Sequence, residues 1–547
     1  MTFFRRLLGL FPPAVLLAII ALVLGTRLLG PHDLYEKDQP KTMAYTADIV
    51  LNGRYALPRD VIYQPATKPP LYNWIDAAAV KLTGLWSEPV LKLPSLLGAL
   101  ATGAVVAFMA ARRERTERWT NFDAASPLLL GCLAAAVWFT FGSDVRHGSV
   151  IRLAYLARPD MLQCAFLTAA WACATVAVLR PTVRDAVEPA ICFWLCVTAA
   201  ALTKGPAAAM PLVSAVAFAL LTPNDRGRWR NLLKLWPALG LPILIAGVGG
   251  WLFFAYRQDP QHVKSVIFGA EMAGRIVDKS PEGFGKPVWY SAMWFVTKAL
   301  PWGGVAVLCL LVTLINSNVR RRLLPAWLYL IVVLLCLSLP KGKRMDYLLP
   351  AYPPAAVLIA GTAAFLVGAR HASPAERDLH LRARFASPLL TASFILPLYL
   401  AVAQSHRFRT QFHEAKEHWS DRAVAFVAAV RAQVDPQQHR ILVLVRGKHP
   451  LTTLLGQHPG SYLTRADLAA AEYVIAPLQD GWTPLVESAP VPVGFETLET
   501  RQLDRLGLFH FAPGTAPVDR LVELQKQVAT WTPDENPYHE PDTVYRD

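Results

Sequence analysis

Long unbroken runs of apolar residues divide most of this chain and limit what it can fold into. Only 17% of its 547 residues are charged and 54% are hydrophobic, which is not the balance of a soluble globular protein. A run of this kind crosses about 30 Å of hydrocarbon as a helix. The sequence therefore predicts a polytopic α-helical membrane protein with about eleven transmembrane helices, within a range of 11 to 13. The runs lie near 7–29, 90–111, 125–143, 161–179, 187–203, 206–222, 234–256, 287–315, 323–340, 347–369 and 385–404.

The first run follows Arg5 and Arg6, as a secretory signal would. It is too long for such a signal, and no small-residue cleavage site ends it. We interpret it as a retained first span. The seven cysteines lie inside or beside apolar runs, so their spacing predicts neither a disulfide framework nor a metal site.

Basic clusters follow the even-numbered spans. The formal net charge is +14, and the clusters lie at 112–118, 180–184, 226–234, 320–322 and 370–384. Because cytoplasmic loops concentrate Lys and Arg, this pattern predicts a cytoplasmic amino terminus in a multi-pass protein of the cell (inner) membrane. It also explains the positive charge without a nucleic-acid partner. The external connections are then 30–89, 144–160, 257–286, 341–346 and the turn at Lys204.

The chain becomes far more polar after the last run. A helical pattern at 418–434 and β-like stretches at 440–446, 472–476 and 506–512 predict a soluble α/β domain. We therefore expect a transmembrane domain at 1–404 and an extracytoplasmic domain at 405–547. The residues from about Thr532 onward are rich in Pro, Asp and Glu, which is typical of a loosely ordered tail.

The first external connection, 30–89, is too long to be a simple turn. A helical stretch from Thr42 to Leu51 ends at Asn52-Gly53, and a second amphipathic stretch runs to Leu82. Their aromatic residues suit short helices packed at the membrane interface.

Asp38 before a short helix, followed by Lys68-Pro69-Pro70-Leu71-Tyr72 and by further spaced elements, resembles the polyprenyl-phosphate-sugar glycosyltransferases of the GT-C membrane fold. This group includes the 4-amino-4-deoxy-L-arabinose transferases of lipid A and the protein O-mannosyltransferases. The resemblance begins with Asp38 before a short helix and covers about residues 30–350. Its other elements are Lys68-Pro69-Pro70-Leu71-Tyr72, Ala157-Arg158-Pro159-Asp160-Met161, Leu202-Thr203-Lys204-Gly205-Pro206, Lys286-Pro287-Val288-Trp289-Tyr290 with Pro301-Trp302, and Lys341-Gly342-Lys343 followed by Tyr347-Leu348-Leu349-Pro350.

The cations of these external loops suit a lipid-linked donor. Cleavage of a polyprenyl-phosphate sugar leaves a phosphate whose negative charge grows as the bond breaks, and cations in a poorly hydrated site stabilise it. An alternative for Lys204 is a side chain extended from a helix end toward water. For Lys341, Lys343 and Arg344 the alternative is contact with lipid head groups. The predicted donor-phosphate ligands are Lys68, Lys204, Lys341, Lys343 and Arg344.

Asp38 and Asp160 are the acidic candidates for catalysis. The resemblance implies that Asp38 lies near the anomeric carbon, where it acts as a general base on an acceptor hydroxyl or positions sugar and acceptor. A helix N-cap is the structural alternative for Asp38. For Asp160 the alternative is a structural ion pair with Arg158.

Further candidates are Tyr72, Tyr347, Glu271 and Arg275, which lie in or near the same elements. The chain also departs from the family. The aminoarabinose transferases commonly have Glu before the Lys-Pro pair and His after the later Glu; this chain has Thr67 and Met272. We therefore expect no divalent metal there and assign no cofactor, and aminoarabinose is a weaker choice of sugar. Gln39 replaces an acidic residue that often follows the first Asp.

The favoured hypothesis is an inverting transferase that moves a monosaccharide from a polyprenyl-phosphate donor to a lipid (lipid A-like), glycan or protein acceptor on the extracytoplasmic face. Its partners are then the donor, the acceptor and membrane lipids. A lipid or lipid-linked-sugar flippase is the alternative, and it predicts charged or broken helices at mid-membrane. A polymerase or ligase that uses a diphosphate-linked oligosaccharide fits the order of the elements less well.

Overall fold

The structure is a computed structural model that describes residues 2–35, 38–61, 64–112, 127–142, 148–225, 227–274, 287–315, 317–340, 343–368, 386–412, 419–445, 449–457, 464–493 and 502–529. The predicted tail from Thr532 lies outside these residues. Most of the described chain is a helical bundle, and a small sheet with helices on both faces follows it.

The helices of the first half include the spans and the segment between the first two, 30–89, which is named here the first external segment after its predicted location. They are α1 (Thr2–Leu28), α2 (Gln39–Asn52), α3 (Leu71–Thr83), α4 (Glu88–Leu91), α5 (Leu93–Ala111), α6 (Pro127–Phe139), α7 (Val150–Leu153), α8 (Asp160–Leu179), α9 (Val187–Lys204) and α10 (Ala209–Leu221), with a 3₁₀ turn at Pro206–Ala208.

The second half of the bundle contains α11 (Arg230–Leu233), α12 (Pro237–Leu244), α13 (Gly250–Gln258), α14 (Pro260–His262), α15 (Tyr290–Thr297), α16 (Trp302–Ile315), α17 (Ser317–Ser338), α18 (Tyr352–Gly368) and α19 (Ala386–Arg407). Irregular helical turns occupy Ile245–Gly249, Val263–Gly274, Met345–Ala351 and Phe408–Phe412.

Each of the eleven predicted runs coincides with helix. Within the described residues seven helices are long and apolar enough to span a membrane, and α15 with α16 makes an eighth if the bent pair counts as one span. The chain bends by 109° between α15 and α16. Pro301 has no backbone N–H to donate, so it suits a helix break. Two further apolar helices, Pro127–Phe139 and Pro206–Leu221, are shorter. The chain is an integral membrane protein.

The first external segment forms the two predicted helices. Gly53 ends α2 in a left-handed conformation, with φ of 68°, and its N–H donates to the Ile49 carbonyl. Residues with a side chain rarely adopt this conformation, which explains why the Asn-Gly pair stops the helix. α2 is buried on most of its surface rather than on one face.

The carboxy-terminal unit begins with α20 (Trp419–Gln433). Its four-stranded sheet has the order β1 (Ile441–Val443), β2 (Tyr473–Pro477), β6 (Leu506–His510) and β3 (Pro484–Glu487). β1 and β2 are parallel, and the other neighbours are antiparallel. β4 (Val491–Val493) and β5 (Gln502–Asp504) form a separate antiparallel pair. The sequence predicted α20, β1, β2 and β6, but not β3 to β5 or the helices α21 (Leu451–Leu455), α22 (Arg465–Ala469) and α23 (Val518–Ala529).

The two faces of the sheet pack against different parts of the chain. One face packs on α23 through Leu521 and Leu524. The other belongs to an apolar cluster that joins α20 to the first external segment. Polar contacts reinforce this junction: the Leu34 N–H donates to Ser420 Oγ at 2.9 Å, and Arg431 donates to the Trp86 carbonyl at 3.0 Å. The members of the shared cluster include Leu34, Met43, Val80, Leu91, Ala423, Phe426, Val430 and Leu454.

Candidate functional site

Asp38 and Lys68 form an ion pair at the point where α2 begins and just before α3. Lys68 Nζ donates to Asp38 Oδ2 at 3.1 Å. Asp38 occupies the N-cap position of α2, but its side chain makes no capping hydrogen bond. The carboxylate faces Lys68 instead, so helix capping does not explain this residue.

The field around Asp38 is strongly positive. Lys68 contributes most to holding the pKa of Asp38 well below its usual range, and Arg158, Arg344 and Lys41 act in the same direction. Like charges close to a carboxylate would have the opposite effect. Lys41 lies three residues after Asp38 on α2 and was not among the predicted residues; its helical spacing from Asp38 was the available signal.

Asp160 and Lys204 meet because α8 and α9 are consecutive antiparallel helices. α8 begins at Asp160 and α9 ends at Lys204, so the two ends lie at the same end of the bundle. Lys204 Nζ donates to Asp160 Oδ1, and Arg158 Nε lies 3.4 Å from Asp160 Oδ2. The predicted pair with Arg158 thus exists, but the closer partner of Asp160 is Lys204.

Asp346 completes this second group and was missed by sequence reasoning. Arg158 Nη2 donates to Asp346 Oδ2 at 2.8 Å, and Arg344 Nη2 lies 3.6 Å from the same oxygen. An acidic residue two positions after the basic Lys-Gly-Lys-Arg stretch was the available signal. The Tyr347 ring lies beside two cations, with its centroid 4.7 Å from Lys204 Nζ and 5.9 Å from Arg344 Cζ. Aromatic rings attract cations at such distances.

The two groups share one electrostatic field. Burial disfavours the charge of Arg158, but Asp160, Asp346 and Asp38 outweigh this effect and raise the pKa of the guanidinium well above its usual value. Five cations face three carboxylates, which leaves an excess of positive charge suited to an anion. The members are Lys41, Lys68, Arg158, Lys204 and Arg344 with Asp38, Asp160 and Asp346.

Gln39 connects the two groups through the backbone. Its amide nitrogen donates to the Asp33 carbonyl at 2.8 Å, and its amide oxygen accepts from the Ala157 N–H at 2.9 Å. A carboxylate could not make both contacts, because it has no donor. The Gln39 that replaces the family's acidic residue therefore holds the Arg158 segment next to the start of α2.

Tyr72 and Lys343 have structural contacts. The Tyr72 hydroxyl lies 3.4 Å from the Leu91 carbonyl and 3.3 Å from the Leu156 carbonyl, in a fully enclosed position, and burial raises its pKa well above the usual value. Lys343 Nζ donates to the Ser338 and Pro340 carbonyls at 2.9 and 2.6 Å. A lysine so placed satisfies carbonyls at a helix end. Neither side chain joins the ion-pair group.

The remaining predicted residues lie at the edge of what the structure describes. Lys341 and Arg275 lie outside the described residues, as does the side chain of Glu271. In the same loop, His262 Nε2 lies 3.0 Å from the Ala66 carbonyl, next to the loop that carries Lys68. Among the described residues no group of three or more His, Cys, Asp or Glu side chains could hold a metal ion.

Comparison with known proteins identifies the fold. No protein-family model matches the sequence, and no curated protein matches it. The structure is similar to ArnT from Cupriavidus metallidurans bound to undecaprenyl phosphate, with a TM-score of 0.56 and 20% identity over 82% of this chain and 85% of that one. For ArnT in the apo state the TM-score is 0.57, with 19% identity over 83% and 85%.

The archaeal oligosaccharyltransferase AglB from Archaeoglobus fulgidus, in complex with an inhibitory peptide and a dolichol-phosphate, is more distant, with a TM-score of 0.49 and 12% identity over 85% of this chain and 69% of that one. The likeness to the two ArnT structures confirms the sequence resemblance to the GT-C type for the fold: this chain is a polytopic helical membrane protein of the GT-C fold with a carboxy-terminal sheet.

Proposed function

We propose that this chain is a glycosyltransferase that moves a monosaccharide from a polyprenyl monophosphate to a lipid (lipid A-like), glycan or protein acceptor. The observation that carries the proposal is the ion-pair group, in which a carboxylate, Asp38, is paired with a lysine and surrounded by further cations. The same kind of fold holds undecaprenyl phosphate in one of the similar structures. A donor phosphate fits the excess positive charge of the group.

Lys68, Lys204 and Arg344 are the donor-phosphate ligands in this proposal, together with the predicted Lys341. In the transfer step an acceptor oxygen attacks the anomeric carbon and the bond from that carbon to the phosphate oxygen breaks. The bonding electrons pass to the departing polyprenyl phosphate, whose added charge the cations stabilise. A single displacement of this kind inverts the anomeric configuration.

Asp38 takes the proton of an acceptor hydroxyl. While Lys68 is paired with it, the depressed pKa makes the carboxylate a poor base. When Lys68 turns to the donor phosphate, Asp38 loses its nearest cation and becomes more basic. Donor binding thus prepares the base. If the acceptor is already an anionic phosphate, Asp38 positions the reactants instead, and Asp160 orients Lys204 in either case.

We place the site on the extracytoplasmic face of the cell (inner) membrane, with residues 1–404 as the transmembrane domain and 405–547 as the extracytoplasmic domain. Two observations support this placement. The basic clusters follow the even-numbered spans, as in cytoplasmic loops. The ion-pair group and the carboxy-terminal unit both adjoin the first external segment.

The position of the charges favours an enzyme over a flippase. Asp160 begins its span and Lys204 ends its own, so these ionisable groups lie at helix ends. Transporters built from internal structural repeats place their ion and substrate sites near the bilayer midplane instead.

The proposal is tested with the full-length protein in lipid nanodiscs and a radiolabelled polyprenyl-phosphate sugar, with membrane lipid extract as acceptor. We expect wild type to transfer label, and Asp38→Asn and Lys68→Ala to lose about 100-fold or more in rate, as is usual for loss of a general base or of a group that stabilises developing charge. Lys81→Ala is the matched control, because Lys81 lies in the same external segment but bonds to the Tyr55 hydroxyl. Full transfer by both site variants would refute the site. Movement of lipid across vesicles without transfer would favour the flippase.

A further inference from the structure

A buried polar network joins α2 to α3, away from the ion pairs. Asn73 Nδ2 on α3 donates to the Thr42 carbonyl at 2.7 Å and to Thr46 Oγ1 at 3.0 Å. Thr46 Oγ1 in turn lies 2.9 Å from Asp76 Oδ2. The network therefore crosses between the two helices at two successive turns.

This network leads directly to the start of α2. The N–H and the hydroxyl of Thr42 both donate to the Asp38 carbonyl at 2.9 Å. Lys68 lies three residues before α3, and its ammonium group donates to the Asp38 carboxylate. The spacing of α2 and α3 thus sets the separation between the Asp38 carboxylate and the Lys68 ammonium.

Asp76 is the one ionisable member of the network, and its surroundings suit a neutral acid. The residue is fully buried, and within the described part of the chain its Oδ1 has no hydrogen-bond partner and no cation pairs with it. An ionised carboxylate in such a place is costly. Burial raises the pKa of Asp76 well above its usual value, although the Thr46 hydrogen bond opposes this.

The charged groups on the elements around α3 do not compensate Asp76. On α3 itself Tyr72 lies one turn before Asp76, and a charge on Asp76 raises the pKa of the Tyr72 hydroxyl. The groups on α2, α4, α5 and α9 have other contacts. They are Asp48 with Arg54, Glu88 with Lys92, Lys204 with Asp160, and Lys41 near the Tyr45 ring.

We infer that Asp76 is a positioning residue which, as a neutral acid, holds α3 to α2 through Thr46 and Asn73 and so sets the geometry of Asp38 and Lys68. The inference rests on the proposed function, because it assigns Asp76 to the same site. Ionisation of Asp76 would leave an unpaired buried charge between the helices, and the cost of that charge favours separation of α2 from α3 so that water reaches it. The site is thus expected to lose donor affinity at alkaline pH.

The test measures binding of undecaprenyl phosphate to the full-length protein in nanodiscs between pH 6 and 10, by isothermal titration calorimetry. We expect Asp76→Asn, whose amide oxygen still accepts from Thr46, to bind like wild type at neutral pH and to keep its affinity to higher pH. Asp76→Ala and Thr46→Val are expected to bind on the order of tenfold more weakly at all pH values, since small displacements of a site are costly.

Asp185→Asn is the matched control, because it makes the same change in an exposed carboxylate at the opposite end of α9. It should leave the pH profile of wild type unchanged. An identical alkaline limit in wild type and Asp76→Asn would overturn the inference, as would full affinity in Asp76→Ala. Radiolabel transfer is measured on the same samples. Binding with the predicted pH shift but without sugar transfer would refute the proposed function while it supports the role of Asp76.

Discussion

Asp346 lies between two guanidinium groups and shows what single residues contribute to this site. Arg158 contacts it at 2.8 Å and Arg344 approaches to 3.6 Å, and all of these groups are largely shielded from water. Attraction inside such a group offsets the cost of removing the charges from water only while every partner is present. The candidate site is therefore most sensitive to the loss of a single charged partner.

Removal of Asp346 should be strongly destabilising. Asp346→Ala leaves Arg158 without its closest acceptor, and the loss of one partner of a buried pair costs about 3–5 kcal/mol. Asp346→Asn keeps an acceptor for Arg158 and should cost less. Thermal unfolding of the purified protein in detergent measures both. Equal stability of the alanine variant and wild type would contradict the buried pairing.

At the scale of elements, the junction between α4, α5 and the carboxy-terminal unit holds the first external segment in place. Lys92 Nζ contacts Glu88 Oε1 at 2.6 Å and the Asp33 carbonyl at 2.5 Å. The His32 ring contacts the other Glu88 oxygen, while the His32 N–H donates to Asp421 on α20 at 3.2 Å. These contacts link α20 to the start of α5.

The His32 contact predicts that docking of α20 weakens as pH rises. The hydrogen bond to Glu88 is the main cause that raises the pKa of His32 above its usual 6.5, with burial and Lys92 opposing and Asp421 assisting. A raised histidine pKa adds stability that is fully present below 6.5 and is lost as pH rises through the higher folded value. Limited proteolysis between pH 5.5 and 8.5 should show the carboxy-terminal unit more easily cleaved at high pH. His32→Asn should remove most of this dependence; an unchanged profile would argue against the contact.

Gly456 predicts a second effect at this junction. It follows α21 with φ of +66°, and a Cβ there would lie 2.6 Å from Trp86 Nε1. Gly456→Ala should therefore cost more than the roughly 1 kcal/mol expected for a side chain in a left-handed conformation. Gly481→Ala is the control, because φ is +79° and nothing lies within 4 Å. The difference in unfolding temperature between the two variants measures the contact with Trp86; no difference would contradict it.

At the scale of the whole molecule, the apolar cluster shared by α20 and the first external segment makes the carboxy-terminal unit part of the site's support. Met43 on α2 and Val80 on α3 belong to the same cluster as Phe426 and Val430 on α20. Asp38 lies at the start of α2, and Lys68 lies three residues before α3. A loss of packing in this cluster is therefore expected to change the geometry of the ion pair.

Phe426→Ala should therefore lower both stability and binding of polyprenyl phosphate. Truncation of a buried Phe costs about 3–5 kcal/mol, and here the cavity adjoins α2. Leu521→Ala is the matched control, since Leu521 is equally buried but lies on α23, which packs on the opposite face of the sheet. We expect it to destabilise the unit with little change in binding. Equal losses of binding in both variants would show that the shared cluster has no special role.

The sequence by itself determined the spans, their polarity pattern and the stop at Gly53, and it named most of the residues that we propose for the site. Apolar runs, basic clusters and an Asn-Gly pair act locally, because helix formation in a membrane depends on short stretches of chain. Asp38, Lys68, Asp160 and Lys204 could be named because their motifs resemble the GT-C type and their charges lie at or between the ends of apolar runs; α20, β1, β2 and β6 could be named from their periodicity.

Only the tertiary structure decided the pairing. That Asp38 faces Lys68 instead of capping α2, that Asp160 is closest to Lys204, that Asp346 lies between two arginines and that Lys343 turns to helix-end carbonyls all depend on how distant helix ends meet. A buried charge takes whichever partner packing brings near, and sequence spacing does not record that partner. Asp76 is the clearest case: a lone acid on a short amphipathic helix in the sequence, it acquires its buried, bridging environment only when α2 packs on α3.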